Sequence, residues 1–275
     1  MSPFFLILVA TGTAALAMLA GGLLSHRFAH FLARHSAPVV AFASGSMLMI
    51  TFGHVLPESV ELAGGQSFAW ILAGVLFFYF LEHFILLHSC PDHLGEHACK
   101  NHSIGPIAAL GLGLHSFFDG LLIVFAFLVE PQLGLLTTVG IALHKLPNGA
   151  ILHSLLCLGT TKRSLIYVLL VALATPLAGL LAPSISNYLS SAEIGLGLAF
   201  SAGALLYITL SDLLPRTHEK RSYHNLIWLV LGGLLIFGLQ HVGGDPHGDE
   251  HDDEAHVEVH LDEHAEETHI EINQH

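Results

Sequence analysis

Two short strings carry metal-ligating side chains at a spacing that lets them act together. His115-Ser116-Phe117-Phe118-Asp119 and His144-Lys145-Leu146-Pro147-Asn148 each hold a histidine and an oxygen donor at i and i+4. On an α-helix, that spacing puts both side chains on one face. Both strings interrupt long apolar stretches. Ionisable groups at membrane depth are costly, turn toward a cavity or partner, and by default mark a functional site. Two imidazoles, one carboxylate and one amide oxygen form a borderline N/O ligand set. Such a set suits Zn²⁺ first, with Fe²⁺, Mn²⁺ and Cd²⁺ as further candidates. A single carboxylate lets an ion bind without trapping it. The plain alternative is a satisfied polar network that only joins helices. Two such pairs on neighbouring helices weigh against it.

Two neighbours of these groups bear on the site. Pro147 removes a backbone donor and frees the carbonyl of Leu143. Polar backbone at membrane depth is tolerated only inside protein or beside water, so the proline agrees with a hydrated path near His144. Lys145 has three readings: a fixed cation beside the ion site, a partner for Glu82 or Asp212, or a long stem on apolar surface with its head among polar groups.

Composition sets the surroundings. Of 275 residues, 53% are hydrophobic and 11% charged, and the mean hydropathy is +0.65. A polytopic membrane protein looks like this and a soluble domain does not. The formal net charge of −13 comes mostly from residues 245–275, which hold 12 of the 22 acids. No basic stripe points to nucleic acid. A divalent cation and the lipid bilayer are the expected partners, with a homodimer as the candidate assembly.

Spanning helices need about 20 mostly apolar residues. Eight stretches qualify: 4–24, 37–55, 68–88, 104–129, 133–158, 164–182, 191–214 and 224–242. The first lacks a basic leader and is too long for a signal sequence, so it reads as a retained helix. Apart from Lys145, every Lys and Arg falls in the connections after helices 1, 3, 5 and 7. That side is cytoplasmic by the positive-inside rule, which leaves both termini external, in the periplasm or outside the cell. The fold expected is an all-α membrane protein of eight transmembrane helices.

The chain also matches itself at an offset of 158. Residues 41–58 align with 199–216 with 8 of 18 identical, and residues 68–84 align with 226–242. The second alignment pairs Trp70 with Trp228, the only two tryptophans, and Gly74 with Gly232. Residues 9–24 match 167–182 more weakly. Five crossings separate the mates, so helices 1–3 and 6–8 form an inverted repeat, a 3+2+3 arrangement. Secondary transporters place substrate at the interface of such repeats. Helices 4 and 5, which carry the two strings, lie between them.

Polar clusters flank this body. Residues 1–242 form the transporter domain. Its cytoplasmic loop, residues 89–103, carries Cys90, His93, His97, Cys99 and His102. These are candidate accessory metal ligands, though the spacing matches no closed zinc site; the loop is either a receiver for released metal or an incidental binder. Residues 243–275 are an external tail rich in His, Asp and Glu, expected to be disordered and able to concentrate cations by its field. His54, Glu58 and Asp212 are read as lining an external entrance. Glu82 completes the candidate pathway residues.

With these residues in view, the chain resembles the ZIP family of divalent-metal transporters over nearly its whole length. His115-Ser116-Phe117-Phe118-Asp119-Gly120 is similar to the family's helix 4 motif, and His144-Lys145-Leu146-Pro147-Asn148-Gly149 to its helix 5 motif. The resemblance implies a metal site of His115, Asp119, His144 and Asn148, Zn²⁺ import into the cytosol, and an elevator-like shift of one bundle against another. It also implies a single-metal branch, because Ser116 and Lys145 stand where many members hold a second cation. Two other functions stay open on the residues alone: metal efflux, and an intramembrane zinc-dependent hydrolase. The leading expectation is a transporter and not an enzyme.

Overall fold

Apolar stretches of this length have few ways to satisfy their backbone in lipid, and helices are the simplest. The computed structural model describes residues 2–89, 104–156, 161–218 and 223–242, and every regular element among them is helical. The elements are α1 (Pro3–Ile50), α2 (Leu56–Ala63), α3 (Gln66–Ser89), α4 (Ile104–Val129), α5 (Pro131–Leu156), α6 (Thr161–Gly179), α7 (Ala182–Tyr188), α8 (Ser191–Ile208), α9 (Leu214–His218) and α10 (Tyr223–Val242). Two π-helical turns, Thr51–Val55 and Thr209–Leu213, link α1 to α2 and α8 to α9. Cys90, His93, His97, Cys99, His102 and the tail from Gly243 lie outside the described residues.

The molecule is an integral, multi-pass membrane protein. Seven helical stretches are long and apolar enough to span a bilayer. The sequence led us to expect eight. The difference is α5, which is 26 residues long but carries Thr137, Thr138, His144, Lys145, Asn148 and His153. Its surroundings explain the composition. Between residues 131 and 154 only Pro131, Leu135, Val139 and Ser154 are exposed. A helix enclosed by other helices has little contact with lipid. By contrast, α3 and α10 leave large apolar side chains such as Trp70, Phe80, Trp228 and Leu234 exposed.

The first two expected spans are present as two membrane-length stretches, Pro3–Phe28 and Ala37–Ala63. The trace kinks at Phe28, where φ is −128° and ψ is 38°. A single residue, Glu130, separates α4 from α5. Pro131 opens α5 at a position where its missing N–H costs nothing. So short a connection makes α4 and α5 neighbours.

The 158-residue offset reappears in the packing. The two π-turns stand 158 residues apart at both ends. A methyl group added at Gly45 would strike the carbonyl of Leu229, and one at Gly203 would strike that of Ile71. The same holds for Gly74 against Phe200 and for Gly232 against Phe42. Each contact maps onto its mate when 158 is added to one number and subtracted from the other. An approximate two-fold relation requires such an exchange.

The repeat is inverted as well. Gly195, near the start of α8, lies against Leu62 and Ala63 at the end of α2. Thr209 Oγ1, beyond the end of α8, is 3.8 Å from Met47 Sδ. The equivalent segments therefore run in opposite directions. Backbones this close leave no room for a side chain, so Gly203→Val must push α3 and α8 apart. Overpacking of this kind costs about 1–3 kcal/mol. The expected result is a clearly lower melting temperature in detergent. An unchanged melting temperature would contradict the contact.

Neighbour relations sort the helices into two groups. The N-terminal half of α1 meets α5 and α6 at Gly21 and Gly22, its C-terminal half meets α10 at Gly45 and α5 at Ile50, and α3 and α2 pack on α8. The helix pair α4 and α8 joins the groups.

Candidate metal site

Positions 115 and 119 fall one turn apart on α4, as do 144 and 148 on α5, and the tight Glu130 connection brings the two faces together. His115, Asp119 and His144 converge, each offering a ligand atom within 4.8 Å of the others. Nε2 of His115 and Nε2 of His144 are each 3.4 Å from Oδ2 of Asp119. A tetrahedral ion with bonds of about 2.0–2.1 Å sets its ligands about 3.3–3.4 Å apart. Both ligand separations thus match one edge of a zinc tetrahedron. Neither imidazole Nε2 has a hydrogen-bond partner.

The surroundings fix the chemistry of these atoms. Nδ1 of His144 is 3.2 Å from the carbonyl oxygen of Gly140. A carbonyl can only accept, so Nδ1 donates, which leaves Nε2, on the side of the carboxylate, as the ring nitrogen available to an ion. Outer contacts of this kind orient metal-binding histidines. His115 is walled by aromatic rings, with Phe78 edge-on at 6.3 Å and Phe118 packed between Phe78 and Phe200. His115, Asp119, His144 and Asn148 are all buried.

Lys145 is the largest fully buried side chain among the described residues. Its ammonium lies 2.9 Å from Oδ2 of Asp119 and donates to Oγ of Ser116 at 2.9 Å. Pairing with Glu82 or Asp212 was one expectation, and it is corrected here. Lys145 faces α4, and Glu82 instead accepts the hydroxyl of Tyr207 at 2.6 Å. The backbone around Ser116 is held in turn, because Thr175 of α6 donates to the Ser116 carbonyl at 3.0 Å.

Glycines following the ligand positions set how closely the flanking helices approach. Gly120, after Asp119, sits against the Thr175 carbonyl, and Gly149, after Asn148, against that of Met18. α6 thus clamps α4 as α1 clamps α5. Their spacing from the neighbouring ligand positions is the same in both strings.

The pathway residues divide between two ends. α3 and α8 run side by side in one direction, with Gly195 near Ala63 at one end and Tyr207 on Glu82 at the other. Asp212 lies beyond Tyr207, at the Glu82 end. His54 and Glu58 lie beyond the crossing of Met47 and Thr209, toward Ala63. Asp212 therefore does not share an entrance with His54 and Glu58, and the expected grouping is corrected.

One residue of the site went unremarked in the sequence. A small cavity beside the ligands is lined by His115 and Asp119 of α4 and by Ser201 and Leu205 of α8, among others. A lone serine in an apolar helix gives no pattern to read.

A model of the ZIP zinc-transporter family matches residues 88–240, more than half of the chain and inclusive of both strings. The chain belongs to the ZIP family. Relatives with curated names agree. A zinc transporter ZupT of Chlorobium luteolum is 26% identical over 260 residues, which cover 87% of this chain and 98% of the relative. A zinc transporter ZIP13 of Pongo abelii is 30% identical over 225 residues, covering 74% of this chain and 66% of the relative. A ZupT of Corynebacterium aurimucosum is 24% identical over 221 residues, covering 74% of this chain and 83% of the relative. In this ZIP chain His115, Asp119 and His144 fall inside the matched region.

Proposed function

We propose that this ZIP-family protein transports divalent transition-metal ions, Zn²⁺ foremost, into the cytosol through one site formed by His115, Asp119, His144 and Asn148. The observation that carries the proposal is three converging electron-pair donors buried among apolar helices, with each imidazole Nε2 set from Asp119 Oδ2 at the edge length of a zinc tetrahedron. Asn148, buried one turn beyond His144, supplies the fourth ligand, an amide oxygen. The names of the relatives support zinc as the cargo. Fe²⁺, Mn²⁺ and Cd²⁺ suit the same N/O donors.

Lys145 and Ser116 take the place of a second cation, so the site holds one ion. The pathway runs from His54 and Glu58, through the site, to Glu82 and Asp212. With the basic connections in the cytosol, the first pair is external, as are both termini. Movement of the α4 and α5 group against the group containing α8 opens the site to one side and then the other. Contact between α4 and α8 at the boundary supports this.

Purified protein in vesicles holding a zinc-sensitive dye tests the reading. Zinc added outside should raise the dye signal with the unaltered protein and not with His144→Ala. An unaltered protein that gives no signal in either insertion orientation sinks the proposal.

A further inference from the structure

Serine and threonine in apolar helices usually bond the carbonyl four residues back. Thr11, Ser44, Thr51, Thr138 and Ser154 all do so here. Ser201 does not. Its side chain is buried and its Oγ has no hydrogen-bond partner. Thr137 Oγ1 is the other such hydroxyl among the described residues, and it lies outside the cavity. A buried hydroxyl left unsatisfied costs about 1–3 kcal/mol, so a native one calls for an explanation.

The cavity supplies one. Ser201 borders it together with His115 and Asp119, and its remaining lining is apolar apart from these three. The space admits roughly one water-sized body. Ser201, whose Oγ has no hydrogen-bond partner, thus borders the same small void as two of the proposed ligands, His115 and Asp119. This void also lies where α4 meets α8, the boundary between the two groups of helices.

We propose that Ser201 of α8 is a further ligand of the transported ion, binding it directly or through one water, so that the ion is held jointly by α4, α5 and α8. The inference rests on the site proposed above. An ion held this way touches both groups. Relative movement of the groups then removes one ligand, which eases release. Ser201 is therefore a state-dependent ligand, whereas His115, Asp119 and His144 travel with the ion.

The test uses the full chain with Cys90, Cys99 and Cys157 changed to serine. Zn²⁺ and Cd²⁺ binding are measured by titration calorimetry for this background and for added Ser201→Ala, Ser201→Cys and Asp119→Ala. Loss of an outer contact lowers metal affinity about 10–100-fold, and Ser201→Ala should fall near the lower figure. Ser201→Cys introduces a soft sulfur and should shift preference toward Cd²⁺. It should also show a sulfur-to-cadmium absorption band, with Cd²⁺ slowing alkylation of the new thiol. If Asp119→Ala abolishes binding while Ser201→Cys shows no shift, no band and no protection, the Ser201 inference is overturned and the site stands. If Asp119→Ala binds as well as the background, the site reading fails and the Ser201 inference fails with it.

Discussion

Asp119→Asn should abolish zinc uptake while leaving the helices in place. Asp119 is the one carboxylate among the proposed ligands, and its Oδ2 meets both imidazoles and Lys145. Asparagine keeps the shape and removes the charge. Changes to outer contacts cost metal affinity about 10–100-fold, so losing the charged ligand itself should cost more than ~100-fold. Zinc binding by calorimetry and uptake into dye-loaded vesicles should both vanish. Lys145 is then a buried ammonium without its carboxylate, which lowers stability as well. The double variant Asp119→Asn with Lys145→Met removes that second effect. It should recover the melting temperature of the apo protein and still bind no zinc. Uptake retained by either variant would remove Asp119 from the ion's path.

Much of this site could be read from residue types and spacing. A histidine and an acid one turn apart in an apolar helix are costly enough to need a reason, and that reason survives without coordinates. The offset of 158 was equally legible, because close helix contacts demand glycine at fixed places. Gly45, Gly74, Gly203 and Gly232 keep that record on both sides of the repeat.

Other features depend on how helices are rotated against one another, which local spacing does not encode. Lys145 follows a ligand position by one residue, and its partner is set by where α4 lies. Ser201 is a small polar residue of a type that apolar helices usually satisfy internally, so only its cavity exposes it. The error over Asp212 is of another kind. α8 runs toward Arg216, which the charge pattern already assigns to the basic side, so the sequence held the signal.

Lys145→Met carries the second large effect, and its sign depends on zinc. The ammonium is buried and holds Asp119 at 2.9 Å. Methionine fills much of the same volume without charge. Removing one partner of a buried ion pair costs about 3–5 kcal/mol, because the remaining charge is left uncompensated. The apo variant should therefore melt well below the unaltered protein, and Lys145→Arg, which keeps the charge, should not. Zinc reverses the order of effects. A ligand that binds only the folded state adds about 2.7 kcal/mol at 100 times its dissociation constant. In the variant the ion no longer shares Oδ2 with an ammonium, so it binds more tightly and the rise in melting temperature on adding zinc is larger. A tighter site also releases more slowly, so uptake falls while affinity rises. Melting curves with and without zinc, set beside uptake rates, check all three signs. An apo melting temperature and a zinc increment both equal to those of the unaltered protein would show that Lys145 is not the counter-charge of Asp119.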